Sequence, residues 1–412
     1  MYPFAARHLR ALRGGRWTGV GPNVAFLGLT SMLTDVSSEM VTSILPIYLV
    51  FAIGLTPLQF GIVDGIAHGL AAVGRLAGGL AADRWQRNRE VAAAGYGLSA
   101  VCRLLLLWAG NAWALIAGVV VLDRVGKAIR TSPRDALISL SSTAERQGLA
   151  FGVHRAMDTA GALLGPLVAF AILALLPLAY DVVFVTSFCF ALVGLATLLC
   201  FVRNVPRRAT EASHGRKPFA GAAQLATIRP FVALVIAGSL LGLVTVADAF
   251  VFLILQRKLA LELAWFPLLF AVTALAYLLL AIPAGRLGDR WGRGRVFLLG
   301  HVLLLLASAN LLVSGGHPWL GLLSLGLLGA YYACTDGVLM ALASRFLPAE
   351  LRATGFALLT TATALARLVA SILFGAIWGW LSAEWALALF TAGLAGMLAA
   401  GARIFLRSGE PA

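Results

Sequence analysis

The sequence GLAADRW at residues 79–85 recurs as GRLGDRW at residues 285–291, an offset of 206 residues (289 − 83). Further along each copy, Ala-Glu followed by Phe at residues 144–151 recurs at residues 349–356, an offset of 205 residues (349 − 144). Two separate matches at nearly the same offset indicate an internal repeat. The sequence therefore predicts a structural unit that occupies about half of the chain and is present twice.

Both halves are too apolar to be soluble domains. Of the 412 residues, 60% are apolar and 12% are charged, and the mean hydropathy is +0.90. Soluble domains are about a quarter charged. A membrane-spanning helix needs roughly 20 mostly apolar residues. Because runs of that length recur along the whole chain, the composition indicates a polytopic membrane protein.

The apolar runs predict twelve transmembrane helices, six in each half. The predicted spans are residues 23–53, 57–82, 91–110, 112–133, 150–177, 180–202, 230–256, 263–284, 295–314, 318–344, 353–381 and 385–406. We therefore predict an all-α membrane protein with an N-terminal six-helix bundle at residues 1–202 and a C-terminal six-helix bundle at residues 230–412. The polar, Arg-rich stretch at residues 203–229 is predicted to be a cytoplasmic linker.

The positions of the basic residues predict the orientation of the chain. The net charge is +14, and the positive side chains gather in alternate loops, with the loop that contains Arg257 and Lys258 as an exception. Under the positive-inside rule, this pattern places both termini in the cytoplasm and requires an even number of spans. Because the basic clusters lie between membrane spans and not in a soluble basic module, the charge does not indicate nucleic-acid binding.

The sequence contains no motif that would indicate an enzyme. It has no G-x-x-x-x-G-K-[ST] phosphate loop, no H-E-x-x-H zinc motif and no Ser/His/Asp constellation in its apolar spans. Cys102, Cys189, Cys200 and Cys334 lie in apolar spans without the spacing of metal ligands, which is typical of small packing residues. We expect no enzymatic activity, no metal site and no cofactor.

Two loops and two spans resemble signatures of the major facilitator superfamily. Residues 285–295 fit the loop signature G-x-x-x-D-R-x-G-R, and the first copy departs from it at Gln86, where Gly is usual. The sequence GALLGP at residues 161–166 resembles the antiporter signature G-x-x-x-G-P of the family. Arg124 is similar to the membrane-embedded Arg of the family's third motif.

At a finer level, TDVSSEM at residues 34–40 and the stretches 123–135 and 154–158 resemble a prokaryotic subgroup of this superfamily. The resemblance implies the major facilitator fold, in which two six-helix bundles are related by an axis along the membrane normal. It also implies a monomeric secondary transporter in the lipid bilayer of the bacterial inner (cytoplasmic) membrane, with a small-molecule substrate. In that fold, the first, fourth, seventh and tenth spans line the substrate cavity.

Asp35 and Glu39 are candidates for proton coupling. They lie four residues apart in the first predicted span and therefore share one helix face. Two neighbouring carboxylates oppose each other's charge, so that one of them can hold a proton, as a proton carrier requires. The alternatives are a buried hydrogen-bonded pair or, for Glu39, a cap on neighbouring backbone.

Arg124 lies near mid-depth in the fourth predicted span. Because a guanidinium group cannot be discharged there, an acid should face it, and Asp123, Asp35 and Glu39 are the candidates. We expect Arg124 to compete with a proton for one of these carboxylates and to bind anionic groups of the substrate. The alternative is a fixed structural ion pair.

Five further polar residues are candidates for the substrate cavity: Asp64, His68, Asp248, Asp336 and Arg367. Asp64 and His68 repeat the four-residue spacing in the second span, where a His near a carboxylate can titrate in the physiological range. Asp248 and Asp336 fall on the seventh and tenth spans, which line the cavity in the family. A structural polar pair is the alternative for Asp64 and His68.

The two loop signatures are predicted to close the cytoplasmic gate. Asp83 and Asp289 can each accept hydrogen bonds from the N-terminus of a helix in the opposite bundle, with further contacts from Arg84 and Arg290. The alternative is a set of solvated loop charges placed by topology.

The fifth span carries a second set of gating candidates. Asp158 lies near the cytoplasmic end, where we expect a gate salt bridge. Gly161, Gly165 and Pro166 should allow close helix packing and a bend. Ordinary packing of small residues is the alternative.

These features together predict a proton-coupled secondary active transporter. Its expected mode is antiport, with export of a small organic molecule such as a drug, siderophore or metabolite. The alternatives are a proton-coupled importer of a small solute and a transporter-like membrane sensor without flux.

Overall fold

A computed structural model of the chain describes residues 21–85, 87–110, 112–143, 146–205, 222–348 and 351–407. Within these residues the chain is helical apart from short turns. Most of the predicted linker lies outside them, so the division into two bundles at that point stays a prediction.

The helices of the N-terminal half are long and closely spaced in sequence. They are α1 (Pro22–Ile47), which continues as a π-helical turn (Tyr48–Ala52), α2 (Pro57–Trp85), α3 (Asn88–Trp108), α4 (Trp113–Leu140), α5 (Gln147–Leu175) and α6 (Tyr180–Phe201).

The C-terminal half follows a single helical turn at Ala222–Leu225. Its helices are α7 (Arg229–Leu243), α8 (Asp248–Leu259), α9 (Phe266–Trp291) after a 3-10 turn (Leu263–Trp265), α10 (Arg293–Val313), α11 (Pro318–Thr335), α12 (Val338–Ala343), α13 (Arg352–Trp380) and α14 (Ala383–Arg407).

Ten helical segments of the described chain are long and apolar enough to cross a membrane. In this set, α7 with α8 forms one segment and α11 with α12 forms another. Two more long helices, α2 with 29 residues and α4 with 28, pack among them. The prediction of an almost entirely helical multi-pass protein is confirmed, whereas the number of twelve crossings and the cytoplasmic position of both termini stay predictions.

Two predicted spans are interrupted and not continuous. The span predicted at residues 230–256 is unwound just before Asp248, and the span predicted at residues 318–344 breaks at Asp336 and Gly337. Gly337 has a φ of +74°, a left-handed conformation that glycine adopts without steric penalty. The two breaks place two predicted cavity carboxylates at helix ends.

The helix pairings of the N-terminal half recur in the C-terminal half. α2 and α3 both pack on α4, and correspondingly α9 and α10 both pack on α11. α1 packs on α5 and α6, and α7 packs on α13 and α14. This recurrence is what the internal sequence repeat leads us to expect.

The two halves meet mainly along two helix pairs, α2 with α13 and α5 with α9, and α1 makes smaller contacts with α8 and α9. In the first pair, a Cβ built on Gly61 would lie 2.5 Å from the carbonyl oxygen of Ser371. Beside the second pair, the ring centroids of Phe170 and Trp265 are 5.3 Å apart. These contacts lie toward the end of the bundle that holds the α1–α2 loop, which is the predicted periplasmic end.

Two glycines of α5 bring that helix against the backbone of α1. A Cβ on Gly161 would lie 2.5 Å from the carbonyl oxygen of Met32 and 3.1 Å from the Cβ of Asp35. A Cβ on Gly165 would lie 2.8 Å from the Cβ of Glu39. Small residues permit such an approach, so the antiporter-like sequence packs directly on the part of α1 that carries the two predicted coupling acids.

Enlarging Gly165 should loosen this interface. Gly165→Ala forces α1 and α5 apart, and overpacking of this kind costs about 1–3 kcal/mol of folding free energy. Gly152→Ala in the same helix is the matched control, because a Cβ there meets nothing within 4 Å and Ala is favoured over Gly in a helix. Thermal unfolding of the purified protein in detergent should show a lower midpoint for Gly165→Ala only. Equal midpoints for the two variants would contradict the close packing.

Candidate functional site

Acidic side chains of α1 pair with basic side chains of α4. Arg130 Nη2 donates a hydrogen bond to Asp35 Oδ1 at 2.9 Å, and Lys127 Nζ donates to Glu39 Oε1 at 2.8 Å. The two acids are about one turn apart, as are the two cations, and the helices run in opposite directions. Two successive ion pairs therefore connect α1 with α4, and each balances a charge that would be costly alone at bilayer depth.

The two α1–α4 ion pairs differ in exposure. The Arg130 side chain is 3% exposed and that of Asp35 is 14% exposed. The guanidinium carbon of Arg130 also lies 4.4 Å from the ring centroid of Tyr96. Lys127 and Glu39 are 30% and 22% exposed. The Asp35–Arg130 pair is the more deeply buried of the two, and the Glu39–Lys127 pair is the more accessible to water.

Arg124 pairs with none of the three acids predicted to face it. Asp123 forms an ion pair with Arg103 of α3, and both α1 acids are bound to other cations of α4. The hydrogen bond described for Arg124 runs from its Nη2 to Thr42 Oγ1 at 3.4 Å. In this structure each candidate acid is bound to another cation, and the predicted competition of Arg124 with a proton stays a prediction.

A further cluster surrounds Asp158 toward the predicted cytoplasmic end of α5. Its Oδ2 lies 3.5 Å from Nδ1 of His154 and 3.7 Å from Nη1 of Arg134. Nε2 of His154 is hydrogen-bonded to Oγ of Ser31 at 2.9 Å. Among the described residues, these partners of Asp158 all belong to the N-terminal half. In this structure Asp158 connects helices of one bundle, and its predicted role at the gate stays a prediction.

A cavity of about 170 Å³ lies between the two halves. Its polar lining consists of Thr42, Asp64, His68, Arg124, Thr245, Asp248, Tyr332 and Arg367, and its apolar lining includes Leu45, Leu49, Phe60, Val63 and Phe270. A second chamber of about 210 Å³ shares three of these residues, Asp248, Phe270 and Tyr332, and adds Glu39, Pro166, Thr273, Tyr277 and Asp336. The shared residues make the two chambers adjoining parts of one central site.

Hydrogen bonds from neutral groups hold two carboxylates of this site. Ser371 Oγ donates to Asp64 Oδ2 at 2.8 Å, across the boundary between the halves. The hydroxyl of Tyr332 lies 2.7 Å from both carboxylate oxygens of Asp248. His68 is exposed, and its Nδ1 lies 3.6 Å from Asp64 Oδ1. Within the described chain, neither carboxylate forms an ion pair with a Lys or Arg.

The structure brings the predicted cavity residues together. Each of Asp64, His68, Asp248, Asp336 and Arg367 lines one or both chambers. Of the predicted coupling residues, Glu39 and Arg124 also line the chambers, whereas Asp35 is not part of either lining. Among the described residues, no three His, Cys, Asp or Glu side chains are close enough together to hold a metal ion.

The predicted cytoplasmic latch is not formed at Asp289 in this structure. The Asp289 side chain is 73% exposed, and an oxygen of its carboxylate lies 3.9 Å from Arg293 of the same half. Arg290 is also exposed. The side chains of Asp83 and Arg84 lie outside the described part of the chain. The gating role of all four residues stays a prediction.

The cations that neutralise the α1 acids were not among the predicted site residues. Lys127 and Arg130 are spaced by about one helical turn, as Asp35 and Glu39 are, and this complementary spacing is the sequence signal for them. Tyr332 has no comparable signal, because its contact with the cavity depends on the positions of α8 and α11.

The similarity of the chain to known proteins agrees with this architecture. The sequence model of the Major Facilitator Superfamily matches residues 27–273 and 249–412. The chain belongs to this superfamily. The resemblance is thus confirmed at the level of the superfamily, and the protein is a membrane transport protein and not an enzyme.

Three similar proteins illustrate the relationship. An uncharacterized MFS-type transporter of Methanocaldococcus jannaschii is 30% identical over 371 residues, which cover 86% of this chain and 88% of the relative. Multidrug resistance protein MdtG of Serratia proteamaculans is 30% identical over 335 residues, which cover 77% and 76% of the two chains. The crystal structure of the nucleoside transporter NupG has a TM-score of 0.78 at 15% identity, with 93% of this chain and 99% of that chain covered.

Removing the two α1 acids should affect stability unequally. Asp35→Asn leaves the buried guanidinium of Arg130 without its counter-charge, and breaking a buried pair costs about 3–5 kcal/mol. Glu39→Gln should cost about 1 kcal/mol or less, because the Lys127 ammonium can turn toward water. Thermal unfolding in detergent measures both losses. The double variant Asp35→Asn/Arg130→Met should recover part of the first loss, and equal losses for the two single variants would contradict the difference in burial.

Proposed function

We propose that this protein is a proton-coupled antiporter that exports a small organic molecule across the bacterial cytoplasmic membrane. The position of Glu39 carries the proposal, because this carboxylate lines the central site and is paired with Lys127 at 2.8 Å. A coupling carboxylate needs access to water and a cation that a proton can replace. Glu39 has both, whereas Asp35 is held against a buried guanidinium.

Protonation of Glu39 changes the electrostatics between α1 and α4. Once the carboxylate is neutral, Lys127 loses its counter-charge and its flexible chain can extend toward water. The Asp35–Arg130 pair keeps α1 in register meanwhile, because a guanidinium group cannot be discharged. Gly165 packs on the Cβ of Glu39, and α5 contacts α9 of the opposite half. A local displacement of α1 at Glu39, beyond the fixed pair, therefore reaches the boundary between the halves. Proton binding then favours one arrangement of the halves over the other.

The arrangement of the halves supports loading from the cytoplasm. The contacts of Gly61 with Ser371 and of Phe170 with Trp265 lie toward the predicted periplasmic end. Toward the other end, Asp289 is exposed, and in the central site Asp336 and Arg367 are exposed as well. An exporter takes up its cargo in a state that is closed toward the periplasm and hydrated from the cytoplasm.

The name of one relative also supports export. MdtG, which is 30% identical to this chain, is described as a multidrug resistance protein. A proton-coupled importer of a small solute and a membrane sensor without flux are the competing functions. The direction of proton movement relative to substrate movement separates all three.

Glu39→Gln should abolish uphill transport but keep substrate exchange, because the amide resembles a carboxylate that is permanently protonated. The measurement uses proteoliposomes that contain a pH-sensitive dye and a panel of candidate substrates. For the wild type, a substrate gradient should drive protons in the opposite direction, and in the variant this proton flux should disappear. Glu90→Gln is the matched control, because Glu90 is an exposed acid that pairs with Arg89 away from the central site.

Other outcomes of this experiment would indicate a different function or a different coupling residue. Protons that move in the same direction as the substrate would indicate import, and substrate binding without flux in the wild type would indicate a sensor. Uphill transport by Glu39→Gln at the wild-type rate would place coupling elsewhere, and Asp64, His68 and Asp248 would be tested next.

Asp289→Asn should slow turnover without removing substrate binding. We propose that Asp289 accepts hydrogen bonds from the opposite half only when the cytoplasmic end closes, so its loss destabilises that state. Substrate affinity in detergent should change by less than about tenfold, which corresponds to 1.4 kcal/mol. Transport and equilibrium binding, measured on the same preparation, test this role. A substrate affinity that falls by more than about tenfold, with unaltered turnover at saturating substrate, would exclude this role.

A further inference from the structure

Most basic side chains inside α3 and α4 are matched by acids. The matched pairs are Arg103 with Asp123, Lys127 with Glu39, Arg130 with Asp35, and Arg134 with Asp135 and Asp158. Arg124 is the exception, since it forms no ion pair with a carboxylate of the described chain. Its contact with Thr42, at 3.4 Å, uses one donor of a guanidinium group that has five. Arg124, which lines the cavity, is thus the basic residue of these two helices that has no ion pair with a carboxylate of the described chain.

The C-terminal half supplies a second guanidinium to the same cavity. Arg367 of α13 donates to the hydroxyl of Tyr331 at 3.2 Å, and it too forms no ion pair with a described carboxylate. Its side chain is exposed and lines the cavity together with Arg124. One arginine from each half, without an ion pair in the described chain, therefore borders the same cavity, beside Asp64 and Asp248.

We propose that Arg124 and Arg367 bind the oxyanion of the cargo between them, so that the substrates are small organic anions. This inference rests on the proposed function, because it assumes that the cargo occupies the central site. The planar donor groups of arginine match the geometry of carboxylate and phosphate oxygens. The clamp consists of these two arginines.

The other residues that line the cavity indicate which further chemical groups the anionic cargo has. Asp64 and Asp248 already accept hydrogen bonds from Ser371 and Tyr332, and their remaining acceptor capacity suits hydroxyl or amino groups of the cargo. The volumes of about 170 and 210 Å³ suit a small metabolite-sized molecule. The apolar wall, which includes Phe60 and Phe270, packs against its carbon skeleton.

An anion held by both arginines also links the two halves. Asp64 and Asp248 line the same cavity, so the oxyanion has to contact the arginine donor groups and stay clear of these carboxylates. Because Arg124 and Arg367 belong to opposite halves, binding favours the arrangement in which the halves enclose the cargo. Cargo recognition and closure then use the same pair of side chains.

Thermal stabilisation of the purified full-length protein by matched probes tests the clamp. The probes are glucuronate, glucose 6-phosphate, glucosamine and glucose on one scaffold, and benzoate, phenyl phosphate, benzylamine and benzyl alcohol on another, all at equal ionic strength. We expect a carboxylate or phosphate probe to raise the unfolding midpoint where the cationic and neutral probes of the same scaffold do not. The responding group identifies the oxyanion class.

Variants of the two arginines test whether the stabilising anion binds to them. Arg124→Gln and Arg367→Gln should each weaken the apparent affinity for the responding anion at least tenfold, and Arg124→Lys should weaken it less. Arg257→Gln is the matched control, because Arg257 lies over the ring of Trp378 at 5.3 Å and outside the cavity lining. Its response should equal that of the wild type. If one Gln variant does not fold, the other carries the test from the opposite half.

Three results would overturn the clamp: stabilisation confined to cationic or neutral probes, an anion response that survives in both Gln variants, or no response to any anion of the panel. Failure of antiport is a separate result. Proton-driven export of a neutral or cationic cargo would contradict the clamp and support antiport. Anion binding that depends on both arginines, without proton-linked flux, would support the clamp and contradict antiport.

Discussion

The buried ion pair between Asp35 and Arg130 is the interaction on which the N-terminal half depends. Neither charge is stable alone at bilayer depth, and the guanidinium cannot discharge. The pair therefore fixes α1 and α4 at the separation that the two side chains can bridge, and the ring of Tyr96 covers the guanidinium on one side. One turn further along, Glu39 and Lys127 are held in the same register, at the edge of the central site.

Close packing of α1 on α5 gives these ion pairs a connection to the rest of the molecule. Gly161 lies against Asp35 and Gly165 lies against Glu39, so the spacing of the glycines on α5 equals the spacing of the acids on α1. Interfaces packed this tightly do not deform continuously, and they transmit a displacement to their neighbours. Because α5 contacts α9 of the other half, the charges of one bundle act on the boundary between both.

The fold class and the candidate acids could be predicted from the sequence, because both are properties of single segments. Apolar length identifies the helices, and a charge within an apolar run is conspicuous wherever the run packs. Partners are different, because they depend on how each helix is rotated about its axis. Asp123 and Arg124 are adjacent, yet successive residues of a helix point about 100° apart, so Asp123 reaches Arg103 of α3 while Arg124 reaches the cavity. The breaks before Asp248 and at Gly337 could not be predicted either, because both lie inside long apolar runs.

The charge of the cargo decides how the membrane potential acts on the exchange. With the cytoplasm negative, one proton that moves inward gains about 2.3 kcal/mol per 100 mV, and one monovalent anion that moves outward gains about the same amount again. A neutral cargo uses the proton term alone, and a monovalent cation that moves outward cancels it. In an antiporter whose central site binds anions, the membrane potential therefore drives both the inward movement of the proton and the outward movement of the cargo. Release of the anion requires that its contacts with the two arginines be weakened. Arg124 and Arg367 lie in opposite halves, so a movement of the halves that opens the site toward the periplasm also changes the distance between the two guanidinium groups.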